Sequence, residues 1–191
     1  MSGKDRTETI RSSRLLLRPW RQEDLEPLFA MSSDARVMEF FLSFHTRDDC
    51  EAMLARMINH HQEHGFGYWA VEIPGISTFA GLLGLAVPRF DAHFTPCVEI
   101  GWRLMAEHWG RGYATEGALA ALRFGFENIG LPEIISMTAV INTRSQRVMQ
   151  KLGMTCNRDE DFDHPLVPAG HKLQRHVLFR LSKHEFEPTQ F

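Results

Sequence analysis

The apolar run "RLLLRP" (14–19), halted by Pro19, predicts a first strand, and "EDLEPLFAM" (23–31) a short helix. Thr46 stands before "RDDCEAMLARMINHHQEH", in which Met53, Met57, Ile58 and His61 recur on one face and Gly65 follows the last turn, so a capped helix is predicted there. "GYWAVEI" (67–73) and "FAGLLGLAVPRF" (79–90) predict strands joined by a turn at "PGIST". "CVEIGWRL" (97–104) places Val98, Ile100, Trp102 and Leu104 on one face of a strand, and Glu99 and Arg103 on the other. Ala118, Leu122, Phe126 and Ile129 then form one helical stripe that stops at "GLP". "EIISMTAVI" (133–141) has the composition of a strand buried on both faces, Asn142 caps a helix "TRSQRVMQKL" closed by Gly153, and "QRHVLFRL" (174–181) predicts a last strand. Strands and helices in this order give an α/β sandwich, a mixed central sheet with helices on both faces.

The segment "EHWGRGYATEGALAALRFGFE" (107–127) departs from simple periodicity, because Gly110 and Gly112 flank Arg111 just before the helical stripe begins. A strand, a glycine-rich turn and a helix start form a general anion-holding device, since exposed N–H groups and the positive dipole end meet the charge while glycine admits close approach. The dinucleotide-binding pattern requires a third glycine where "GRGYAT" has Thr115, and the Walker loop requires a lysine where "GYATEGA" offers Ala118. Without a ligand the same spacing is a tight strand-to-helix turn.

Composition narrows the classes. At 191 residues the chain is expected to be one domain over 1–191 with a core at about 12–182. A net charge of −3 without single-sign runs gives no basic footprint for nucleic acid or an anionic membrane. The polar start "MSGKDRTETI" lacks the apolar stretch of a leader, and "FAGLLGLAV" falls far short of the roughly 20 apolar residues that span a bilayer, so a cytoplasmic location is expected. Cys50, Cys97 and Cys156 are odd in number and widely spaced, as suits buried small hydrophobes rather than disulfides or a zinc ribbon. His60 and His64 lie one helical turn apart, yet the Glu that follows the first His in the zinc-protease motif is missing, and no metal is expected.

"HWGRGYATEGALAALRFGFE" followed by "INTRSQRVMQKLGM" resembles the acetyl-CoA-binding signature of the GNAT N-acetyltransferase superfamily. "RLLLRPWRQED" and "EIGWRL" are similar to its branch of ribosomal-protein N-terminal acetyltransferases, as is Trp109, where the broader superfamily often has Gln or Arg. The resemblance implies the GNAT fold with splayed central strands, a bulge in the strand at 97–104, and acetyl-CoA as co-substrate. It places the coenzyme on Trp109, Gly110, Arg111, Gly112, Tyr113, Ala114 and Thr115, on Asn142 and Ser145, and on the free backbone edge near Leu104. It implies direct transfer to a primary amine, a peptide N-terminus or a small molecule, by a monomer or homodimer.

For such a transfer Glu99 is the first candidate base, since an ionised carboxylate in a central strand is costly unless paired or used; its other reading is an ion pair with Arg103. Asp161, Asp163 and His164 in "DEDFDHP" are competitors, or else solvated charge, and the local acidity of Asp159, Glu160, Asp161 and Asp163 would suit a cationic acceptor. Ser145, in the family's N-x-x-S element, is the candidate acid for the departing thiolate, with helix capping as its structural alternative, and Tyr113 ranks below it. Trp20, Phe40, Phe41 and Phe44 are expected along the acceptor wall or in the core. A non-catalytic acyl-CoA-binding or regulatory module remains the rival on the same fold, and a nucleotide enzyme a more distant one.

Overall fold

A computed structural model describes residues 8–187. The first seven residues of the polar start lie outside them. Strands β1 (Ile10–Arg11), β2 (Leu16–Arg18), β3 (Tyr68–Ile73), β4 (Ser77–Ala86), β5 (Glu99–Leu104), β6 (Glu133–Ala139), β7 (Thr155–Cys156), β8 (Phe162–Asp163) and β9 (Arg175–Ser182) form one mixed sheet. Its order is β1-β2-β3-β4-β5-β6-β9-β7, with β8 also on β9. The predicted long strands are all present, though β5 begins at Glu99 rather than Cys97, and the two-residue strands β1, β7 and β8 are too short to leave a periodic signal.

Helix α2 (Arg47–His64) has the predicted boundaries: the Thr46 hydroxyl accepts from Asp49 N–H and Gly65 takes the left-handed conformation, and Asp49, beyond the expected cap, reaches back to Thr46. With α1 (Leu25–Ser32) it covers one face of the sheet, packing Leu28, Met31, Leu54 and Met57 on Ala70, Phe79 and Leu82. Buried Arg18 ties the start of α1 to the sheet through Asp24, at 2.7 and 2.8 Å, and Glu72. The other face carries α3 (Tyr113–Arg123) and α4 (Thr143–Lys151) over Leu17, Trp69, Val71, Leu83, Leu85 and Ile134. The predicted stripe is buried at Ala118, Leu122 and Phe126 and half-buried at Ile129, but the six residues after α3, Phe124–Ile129, widen into a π-helical segment before Gly130.

On the α1–α2 face a second small cluster, Phe94, Ile135, Phe162 and Leu178, lies under the 87–98 loop. A cleft is lined by Met57 and Leu82 on one side and by Phe90 and Met137, which pack against the second cluster, on the other, so the two covers leave part of the sheet open between them.

Candidate active site

The cleft opens where β5 and β6 part. This pair is the one parallel pairing among the described strands and has a single bridge, Glu99 with Ile135. Along β4 and β5 the register runs unbroken from Glu99 to Leu104, so the expected bulge in β5 is not what opens the sheet; a register shift occurs instead in β3, between Val71 and Ile73. Met105 N–H bonds Ala80, and by strand alternation Ile100, Trp102 and Leu104 turn their backbone groups toward β6. Ser136 Oγ donates to the Ile100 carbonyl at 2.9 Å, and Trp109 Nε1 donates to the Leu104 carbonyl at 2.9 Å. The open edge therefore consists of the Trp102 N–H and C=O and the Leu104 N–H; the Leu104 carbonyl is taken.

Glu99 is the only carboxylate among the described residues lining this cleft of about 930 Å³, a volume suited to a small-molecule site. The ion pair with Arg103 does not form. Instead the Tyr68 hydroxyl donates to Glu99 Oε1 at 3.3 Å, passing over Gly101, where a Cβ would stand 2.5 Å from that hydroxyl. Burial pushes the Glu99 carboxyl up to about 7 against the opposing pull of this hydrogen bond. Burial and the neighbouring carboxylate raise the Tyr68 phenol well above its usual value, so it stays a donor. Tyr68→Phe removes the donor that stabilises the carboxylate, so the Glu99 pKa rises further. The acidic limb of the kcat/KM profile should move to higher pH, and an unmoved limb would detach the two groups.

At the other end Gly112, with φ of 81°, is the N-cap of α3 and supplies no side-chain cap. The first helical bond that closes there is Glu116 N–H to the Gly112 carbonyl, which leaves the amides of Tyr113, Ala114 and Thr115 without intrahelical acceptors. These three free amides fit a diphosphate. The loop is fixed from outside by Arg14, whose guanidinium bonds the Arg111 carbonyl and Glu116, while Ser12 Oγ bonds the same carboxylate at 2.7 Å. No sequence pattern signals this clamp, because its partners are about a hundred residues apart. Arg111, on which the resemblance places the coenzyme, is exposed and is not among the cleft-lining groups, so its charge is absent from the wall. Cations enter instead from α4, as Arg144, Arg147 and Lys151. Arg144 stacks on Trp109 at 4.9 Å and pairs with Glu39.

Asn142 and Ser145 both line the cleft, and Asn142 also caps α4 by accepting from Ser145 N–H at 3.2 Å. Phe40 and Phe41 line the opposite wall. Trp20 does not: it is buried, donates to the Tyr68 carbonyl at 2.6 Å and packs near Phe79, while Phe44 is exposed outside the wall. The acidic segment also stays away from the cleft, with Glu160 on Arg180, Asp161 on Arg158 and Asp163 on Arg175. His164 joins an aromatic cluster with Phe90, Phe162 and His176. His60 bonds the Phe66 carbonyl and the Val87 N–H with its two ring nitrogens, so it has none left for a metal. Cys50 is buried as expected, but Cys97 is only half-buried and Cys156 is exposed.

Comparison with known proteins gives the family. Residues 14–155 match the model of the acetyltransferase (GNAT) domain. The chain is 34% identical over 154 residues to the FsC-acetyl coenzyme A-N(2)-transacetylase of Aspergillus fumigatus, covering 77% of this chain and 65% of that one, so it spans less than two thirds of that protein's length. It is 27% identical to an uncharacterised N-acetyltransferase of Bacillus subtilis, YnaD, over 93% of this chain and 98% of the other. A GNAT-family acetyltransferase from Bacillus anthracis superposes with a TM-score of 0.74 at 26% identity, over 93% of this chain and all of that one. The RimL ribosomal L7/L12 acetyltransferase bound to coenzyme A shares the fold at a TM-score of 0.73 and 15% identity, over 92% of this chain and 98% of that one. The chain belongs to the GNAT family of acetyl-CoA-dependent acetyltransferases.

Proposed function

We propose that this chain, acting as one acetyltransferase domain, acetylates a primary amine, the N-terminus of a peptide or the amine of a small molecule, by direct attack. The observation that carries this reading is Glu99, the lone cleft carboxylate among the described residues, at the point where β5 and β6 part. Acetyl-CoA supplies the acetyl thioester. The amides of Tyr113, Ala114 and Thr115 bind its diphosphate, helped by the α4 cations, and the open edge at Trp102 holds the pantetheine arm. Glu99 Oε takes a proton from the incoming amine, directly or through a water. With its carboxyl pushed up to about 7, it is matched to an α-amino group of about 7.7–8.0 better than to a lysine of about 10.4. Ser145 Oγ returns a proton to the departing sulfur.

Calorimetric titration with acetyl-CoA, followed by an amine screen with free-thiol detection, tests this reading. Selective binding with turnover supports it, whereas binding without turnover on any amine favours a non-catalytic module. Ser145→Ala should lower kcat by on the order of tenfold to a hundredfold while acetyl-CoA affinity changes little. A variant that is less stable but has normal specific activity would return this serine to a structural role in the first turn of α4.

A further inference from the structure

Arg103 is a buried charged group in the cleft that the reaction leaves unused. It lies on β5 on the same face as Glu99, is 8% exposed, and has no ion pair among the described residues. Among the described residues its guanidinium meets sulfur and an aromatic ring: Met38 Sδ at 3.5 Å, Met53 Sδ at 3.2 Å and the Phe41 ring at 5.0 Å. A buried guanidinium without an oxygen acceptor is costly, and burial lowers its pKa to about 10. Such a charge is kept where something else supplies the acceptor.

His45 gives an independent sign at the same place. It lines the cleft, and its Nδ1 is buried without a hydrogen-bond partner. Burial first, and then the positive field of Arg103, hold this imidazole below its ordinary pKa, so the pair has two unmet polar groups and a net positive charge. Arg56, exposed on the cleft wall from α2, adds a further cation. We infer that Arg103, with His45, binds a carboxylate of the acceptor, so that the substrate is an amine that also carries an acid. Arg103 and Glu99 are four residues apart on one strand, which sets the anion on the order of 10 Å from the reacting amine. This replaces the cationic acceptor suggested by the 159–163 segment, which lies outside the cleft with Glu160, Asp161 and Asp163 held by arginines.

The inference rests on the proposed acetyl transfer to an amine and is tested so that the two can fail separately. The probes are the amidated peptides Ser-Ala-Glu and Ser-Ala-Gln, which differ by one side-chain carboxylate, together with aminocaproate and hexylamine as a non-peptide pair. Each is titrated into enzyme saturated with coenzyme A, and its turnover with acetyl-CoA is measured. The acid-bearing member of at least one pair should bind about tenfold to a hundredfold more tightly than its neutral partner, and Arg103→Met should erase that preference. Preference in the first pair alone would assign a peptide acceptor, and in the second alone a small amino acid.

Arg103→Met should keep its affinity for coenzyme A and its thermal stability, because methionine fits beside Met38 and Met53 and no partner is left unpaired. If that variant fails to fold, Arg103→Lys, which keeps the charge but loses the fork, should still weaken the preference. Equal binding within both pairs, absence of binding by all four probes, or a preference that survives substitution of Arg103 overturns the inference. Absence of acetyl-CoA binding by the wild type would instead overturn the proposed function.

Discussion

Glu99→Gln is expected to reduce kcat by about 10²–10⁴-fold, the contribution of a positioned general base. Glutamine has the same shape and still accepts from the Tyr68 hydroxyl, so the strand, Gly101 and the floor of the cleft should be unchanged. Acetyl-CoA affinity should be nearly unaltered, because the free amides that fit the diphosphate lie at the far end of the cleft. The sign of the pH effect follows from the raised carboxyl. Below about pH 7 the folded enzyme holds Glu99 protonated and without base function, and activity appears as the proton leaves. The variant should therefore lose the limb near pH 7 and keep only the one set by the amine's own ionisation. Full activity in Glu99→Gln would assign proton removal to water alone, since the acidic residues at 159–163 lie outside the cleft.

Gly112→Asp should lower coenzyme A affinity by about a hundredfold or more, because like charges brought together cost several kcal/mol. The new carboxylate would stand at the cap of α3, beside the three amides free to meet a phosphate. The left-handed backbone there adds strain of about 1–2 kcal/mol for any side chain, though aspartate tolerates it better than most. Gly112→Ala separates the two effects, because it introduces the strain and a Cβ contact 3.4 Å from the Arg14 guanidinium without the charge. Calorimetry with coenzyme A should rank wild type, Ala and Asp in that order, with the larger step to Asp. Equal affinities for the three would remove the diphosphate from this loop.

The sequence by itself determined the elements that depend on neighbours in the chain. The boundaries of α2 followed from Thr46 and Gly65, the start of α4 from Asn142, and the stripe on α3 from its spacing, because caps and periodicity act within a few residues. The family motif marked one end of the cleft, at Gly110 and Gly112 to Thr115, and the cost of a carboxylate in a central strand marked the other, at Glu99. What the tertiary structure decided is which distant groups meet. The β3–β4–β5 register carries Tyr68 to Glu99, while Arg103, four residues along the same strand, turns to Met38 and Met53, and strand alternation alone could not choose between a base and an ion pair. Trp20 and Phe40 share a character in the sequence, yet only Phe40 lines the cleft, since Trp20 finds the Tyr68 carbonyl beneath α1. The acids at 160, 161 and 163 acquire arginine partners, and Arg103 acquires none. Charge in a sequence has no environment until the chain folds, and here burial and register distribute it: one carboxylate and one unpaired guanidinium on the same strand face the same cleft.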